Sequence, residues 1–266
     1  MKKLLTLTIG LFALLFIVNG QEDFNMKKYK TLYFYDAPVV DNEDYSVSIK
    51  NVIADDEICK LAIVIENKTN DYLVFDEGEC GFAFETGEQK PKKKEHFIQP
   101  NKTITKTLQI SGNGPYKVDN FNFNFRGLHK ISTKGKIASA PNFLLPETVN
   151  SFEAGDFEVS LKNKKKETQE TSVSFSCTYS GKEIGFVNPS KLSVTIEGGK
   201  TFANNNKKAK MKLMQKGDKT KIIAVFNIPA KVVDMQFADL TIVWNDTFTT
   251  SSKVNLNCPS EGFGVT

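Results

Sequence analysis

Arginine is almost missing from this chain of 266 residues: Arg126 is the only one among 35 basic side chains. Proteins that read base edges rely on arginine's planar fork, so sequence-specific nucleic-acid recognition is disfavoured. Histidine is equally scarce. His96 and His129 are the two in the chain, and neither stands in a zinc or protease arrangement such as H-E-x-x-H. No G-x-S-x-G elbow is present, and no glycine-rich loop opens a helix. The familiar hydrolase, metal and nucleotide routes lack their parts, no cofactor is called for, and the chain reads as a non-enzyme. A glycosidase-type carboxylate pair stays open, because such pairs meet in space without fixed spacing. The single tryptophan, Trp244, alternates with Leu240 and Ile242 and belongs in a core. After the first 20 residues no apolar run approaches the roughly 20 that a spanning helix needs, so no transmembrane segment is expected in the mature chain.

What is present begins with an export signature. Lys2 and Lys3 precede an apolar stretch from Leu4 to Val18, and Val18-Asn19-Gly20 supplies the small residues of a cleavage site. Residues 1–20 read as a secretory signal peptide, with a mature chain from Gln21 that is secreted or periplasmic. No cysteine follows the cut, so a lipid anchor is unsupported.

The mature chain repeats itself. Val47-Ser48-Ile49-Lys50-Asn51 recurs as Val159-Ser160-Leu161-Lys162-Asn163, an offset of 112. Lys102-Thr103 recurs at Lys219-Thr220, and Val118-Asp119 at Val233-Asp234, with offsets of 117 and 115. A near-constant offset across the unit argues for a duplicated domain of about 115 residues.

Within each unit the apolar residues alternate. Leu61, Ile63 and Ile65 share one face, Val173, Phe175, Cys177 and Tyr179 another, and Phe121, Phe123 and Phe125 are interleaved with asparagines. That period of two belongs to half-buried strands. Turn clusters at 67–71, 111–115, 198–199 and 204–206 separate them at the short intervals of antiparallel sandwiches. From Ser132 to Asp156 the chain passes Gly135, Pro141, Pro146 and Gly155, which suits a junction. The expected division is a signal peptide at 1–20, one sandwich at 21–145 and a second at 146–266.

The phrase Ile65-Glu66-Asn67-Lys68-Thr69-Asn70-Asp71-Tyr72-Leu73, together with the strand spacing, resembles the tandem immunoglobulin-like domains of secreted bacterial proteins. The resemblance implies an all-β chain of two tandem immunoglobulin-like antiparallel β-sandwiches. It carries no binding residues. The Cys, Trp, Cys spacing of antibody domains is absent from both units.

Four cysteines in an exported chain read first as disulfides, with three possible full pairings. If strands around Ile58–Glu66 and Tyr72 onward form a hairpin turning near Thr69, Cys59 reflects onto a position beside Cys80. Cys177 and Cys258 each share the inward face of their strands. The expected bridges are therefore Cys59 with Cys80 and Cys177 with Cys258, the alternative being four buried thiols. The same hairpin would gather Asp55, Asp56, Asp76 and Glu77, a crowding that a calcium ion could relieve, although charged loop ends are ordinarily just solvated.

Charge is uneven. Residues 30–145 carry a net −1 and residues 157–258 a net +7. Lys162, Lys164, Lys165 and Lys166 form one cluster, and Lys207, Lys208, Lys210 and Lys212 another. They are the candidate surface for an anionic glycan or lipid of the envelope; the plainer reading is lysine protection of strand edges. Tyr33 and Tyr35 alternate with Leu32 and Phe34, so they form an outward ledge or pack between the domains. The function expected is that of a non-enzymatic binding or structural protein of the cell envelope, with an unidentified protein or an anionic glycan or lipid as partner. A carbohydrate-binding or carbohydrate-active accessory protein is the alternative.

Overall fold

The structure, a computed structural model, describes residues 28–112, 114, 116–256 and 260–264. The expected signal segment and Cys258 lie outside the described residues. The chain is all-β. Its first part runs through β1 (Leu32–Phe34), β2 (Ala37–Asp41), β3 (Tyr45–Ala54), β4 (Ile58–Asn67), β5 (Tyr72–Asp76), β6 (Gly81–Phe84), β7 (Gly87–Gln89), β8 (Glu95–Ile98), β9 (Thr103–Ser111), β10 (Asn120–Asn124) and β11 (Leu128–Ile131). One layer has the order β1-β3-β4-β9, with β2 also on β3. In β4 the alternating Cys59, Leu61, Ile63 and Ile65 are fully buried, which is why this ten-residue strand anchors the layer.

The facing layer is bent. β5 and β6 are separated by a single 3-10 turn, Glu77–Glu79, and β10 and β11 by Phe125 to Gly127. The backbone of Asp76 donates to the Gly127 carbonyl at the bend. Gly127 takes a φ of +82°, and a Cβ there would lie 2.4 Å from the Asp76 oxygen, so only glycine fits. Phe82, Phe121, Phe123 and Phe125 fill the space between the layers as the alternation requires.

The second unit repeats this plan. It comprises β12 (Lys136–Ile137), β13 (Phe143–Leu145), β14 (Ser151–Ala154), β15 (Phe157–Lys166), β16 (Glu170–Tyr179), β17 (Ile184–Val187), β18 (Ser193–Ile196), β19 (Thr201–Ala203), β20 (Lys212–Met214), β21 (Lys219–Asn227), β22 (Leu240–Val243) and β23 (Phe248–Ser251). β14-β15-β16-β21 form its outer layer; β12-β23-β17-β20 and β13-β22-β18-β19 form the bent one. β4, β5 and β6 precede β16, β17 and β18 by 112 residues each, the offset of the repeated phrase. Both bends carry the same cap: Asp76 accepts from the Gly78 amide, and Asn188 from that of Ser190.

The last strands return to the first unit. β24 (Val254–Asn255) pairs with β11, and β25 (Ser260–Gly264) with β10. β12 and β13 pair with β23 and β22. The strand pairing thus sets limits other than 21–145 and 146–266. The second unit is continuous over 136–251, and the first is completed by β24 and β25. The glycines and prolines of this stretch do not reveal that Phe143 and Leu145 within it are core residues of the second unit.

The bent layers also touch each other. Tyr72, Val74 and Phe97 of the first unit meet Ile184, Phe186 and Leu213 of the second in one cluster. Strand register makes these equivalent positions: Val74 lies opposite Phe97 as Phe186 lies opposite Leu213. Contact between like positions of two repeats is the geometry of a symmetric dimer interface, here within one chain. Lys253 and Glu95 close its rim at 2.7 Å.

Candidate functional site

The two lysine clusters meet different surroundings. β15 bulges between Leu161 and Asn163, which frees Lys162 from the ladder. Its three neighbours are engaged locally. Lys164 pairs with Glu147, whose carboxyl is held below its usual range by that hydrogen bond. Lys165 meets Glu167 at 2.5 Å, which raises the ammonium's pKa. Lys166 donates to the Ala238 carbonyl at 2.6 Å, and desolvation lowers its pKa.

The second cluster is built differently. The connection from β19 to β20, residues 204–211, is three residues longer than its counterpart at 90–94. It is pinned along the edge of β21 by asparagines. Asn204 Oδ1 accepts from the amides of Val225 and Asn206, both at 3.0 Å, and its Nδ2 donates to the Pro189 carbonyl at 2.8 Å. Asn205 Oδ1 accepts from the Asn227 amide at 3.0 Å, and Asn206 Nδ2 donates to the Ile223 carbonyl at 3.1 Å. A run that reads as a simple turn signal is a brace satisfying an open strand edge.

The brace shapes a cleft of about 220 Å³. Its floor is apolar, from Pro189, Ala209, Ile223 and Val225, and its rim carries Lys208, Lys210, Lys212 and Lys221. Lys212 is held by the Thr220 hydroxyl at 2.9 Å and the Lys221 carbonyl at 3.0 Å. Among the described residues no carboxylate lies within ion-pairing distance of Lys208, Lys210 or Lys221. Lys207 is exposed on the same loop but does not line the cleft. Lys221 was missed in the sequence, where it is one outward position of an alternating strand.

Calcium finds no cluster: among the described residues no group of three or more histidine, cysteine or acidic side chains could hold a metal. Asp55 caps its own turn, accepting from the amides of Glu57 and Ile58, which lowers its pKa. Glu77 meets His96 at 2.5 Å, and Glu79 meets His129 at 3.2 Å. The expected Cys59 to Cys80 bridge is not formed. β4 and β5 are not a hairpin, since β4 pairs with β3 and β9 while β5 pairs with β8 and β11. Cys80 instead donates to the Arg126 carbonyl at 3.1 Å. Cys177 is a buried free thiol, and its expected partner lies outside the described residues. Trp244 is buried against Phe152, Phe175 and Phe248. No helix among the described residues is long and apolar enough to cross a membrane.

No protein-family model matches the sequence, and no curated protein matches it. Among solved structures, the N-terminal CBM22-1-CBM22-2 tandem domain from Paenibacillus barcinonensis Xyn10C is 10% identical over 85% of this chain and 97% of that chain, with a TM-score of 0.20. A mutant of Bacillus subtilis oxalate decarboxylase OxdC is 10% identical over 84% and 79%, with a TM-score of 0.16.

Proposed function

We propose that the chain is a secreted, non-enzymatic binding protein of the bacterial cell envelope, an immunoglobulin-like tandem whose second unit holds an anionic polysaccharide in the lysine-rimmed cleft. The observation that carries this reading is the convergence of Lys208 and Lys210 from the braced loop with Lys221 from β21 over an apolar floor. An acidic sugar ring has an apolar face for Pro189 and Ile223 and a carboxylate or sulfate for the ammonium groups. The charged groups that line the cleft are lysines.

The test is binding of the full chain to polygalacturonate and heparin, with dextran as the uncharged control and phosphatidylglycerol vesicles as the lipid arm. Lys208→Glu combined with Lys210→Glu should weaken binding to the acidic polysaccharides at least about tenfold without lowering Tm, because solvated lysines contribute little to stability. Salt should weaken the wild-type interaction, since exposed charges are screened over about 8 Å at physiological ionic strength. Binding to vesicles alone would assign the cleft to lipid headgroups. Salt-independent binding, or none, would leave the lysines as a solubility device.

A further inference from the structure

The first unit has one strand that the second lacks. β2 corresponds to β14, since Val40 lies opposite Val47 as Phe152 lies opposite Val159. β1 is extra: it pairs with the far end of β3 and makes that layer five-stranded, where its counterpart has four. Its inward residues, Leu32 and Phe34, are 1% and 6% exposed, while Tyr33 and Tyr35 are 65% and 70% exposed. Both tyrosines are largely exposed to solvent. Asp36 fixes the ledge by accepting from the amide of Asn51, which takes a left-handed φ of +53° in the bulge of β3.

A row of side chains leads away from this ledge. Tyr33 lies opposite Ile53, Ile53 opposite Lys60, and Lys60 opposite Gln109. The neighbouring positions are half-buried Ala62 and Val64, opposite exposed Thr107 and Thr105. At the far edge, Thr107, Gln109 and Ser111 open, with Gln89, into a groove of about 380 Å³ whose opposite wall carries Glu77, Lys90 and Lys92. Three strand spacings separate ledge from groove, about 14 Å, and Tyr35 follows directly on the end of β1. The sheet face thus offers aromatic planes, an apolar middle and hydroxyl and amide groups, together with the charged side chains of Lys60 and of the wall of the far groove.

From this arrangement we infer a second binding site, on the outer sheet of the first unit, for an uncharged polysaccharide. The tyrosine rings stack on the C–H faces of successive sugars, and Thr107, Gln109 and the Lys60 ammonium bond their hydroxyls. The site stands on residues other than those of the basic cleft, so the two readings can fail separately.

The full chain is to be tested by affinity electrophoresis and calorimetry against soluble β-glucan, mannan, galactan and dextran. The expected result is binding to at least one of them that is unchanged between about 50 and 500 mM salt. The double variant Tyr33→Ala, Tyr35→Ala should lose at least about tenfold in affinity, equivalent to 1.4 kcal/mol. Tyr33→Phe, Tyr35→Phe should retain most of it, and the Lys208→Glu, Lys210→Glu variant all of it. Binding to none of the four, or binding indifferent to the alanine variants, overturns the site. Retention by a protein of envelope extracts with no polysaccharide bound would overturn it equally and make the ledge a protein contact.

Discussion

Phe143 lies opposite Ile242 in an antiparallel ladder, so a strand that precedes Pro146 completes the second unit. A fragment starting at Phe152 lacks that strand and the buried side chains of Phe143 and Leu145. Each is worth about 1.5–3 kcal/mol of burial. Their sum is a large share of the roughly 5–15 kcal/mol that holds a domain. Residues 134–252 should therefore melt cooperatively, whereas 152–266 should show little or no cooperative transition by circular dichroism. A cooperative melt of 152–266 at the temperature of 134–252 would refute the strand's importance.

The same topology predicts a dependent first unit. Phe263 of the returning strand is 4% exposed and stacks on Phe121 with centroids 5.4 Å apart. Phe263→Ala should cost about 3–5 kcal/mol. In thermal melts followed unit by unit, the loss should fall on the first unit and leave the isolated 134–252 fragment's transition as the reference for the second.

Much of this was legible in the sequence, and the rest fails for a definite reason. Alternation located β4, β10 and β16, because a half-buried strand must repeat every second residue. Partner choice is not encoded locally. The 67–71 segment looks like a hairpin turn, yet Asn67 is fully buried and its Nδ2 donates to the carbonyls of Asp71, Ile98 and Gln99. It pins a crossover between layers, which is what separates Cys59 and Cys80 in the ladder pattern. Lys208 and Lys210 stood out because they fall in one run, while Lys221 and the tyrosine ledge became a site only through register.

Burial of thiols gives a pH dependence with a definite sign. Cys59 and Cys177 are pushed up from 9.0 to about 12, chiefly by desolvation. Below pH 9 both states hold these protons, and neither thiol affects stability with pH. Between about pH 9 and 12 the unfolded chain releases them while the folded chain does not, so stability falls by about 1.4 kcal/mol per pH unit for each thiol. Urea melts at rising pH should show a shallower decline in Cys177→Ala than in wild type by that amount. Identical slopes would mean that the thiol titrates normally.

The contact between the units is open to a double-mutant cycle. Tyr72 and Phe186 meet with ring centroids 5.5 Å apart, and burial raises the Tyr72 pKa. Tyr72→Ala and Phe186→Ala should each destabilise, and their coupling should be about 0.5–1.5 kcal/mol. Strict additivity would show that the units share a boundary without the rings contributing jointly.

The brace of the lysine loop separates position from charge. Asn204→Ala removes the acceptor for the Val225 and Asn206 amides and the donor to the Pro189 carbonyl, but it removes no lysine. Losing those partners should cost about 1–3 kcal/mol of stability. If the cleft holds an acidic polysaccharide at defined points, affinity should fall because Lys208 and Lys210 no longer stand over the floor. The dependence of affinity on salt should keep its slope, since the same number of ammonium groups remains to be screened. An unchanged affinity would mean that the lysines act as diffuse charge, and a reduced slope would mean that the loop had withdrawn them from the ligand altogether.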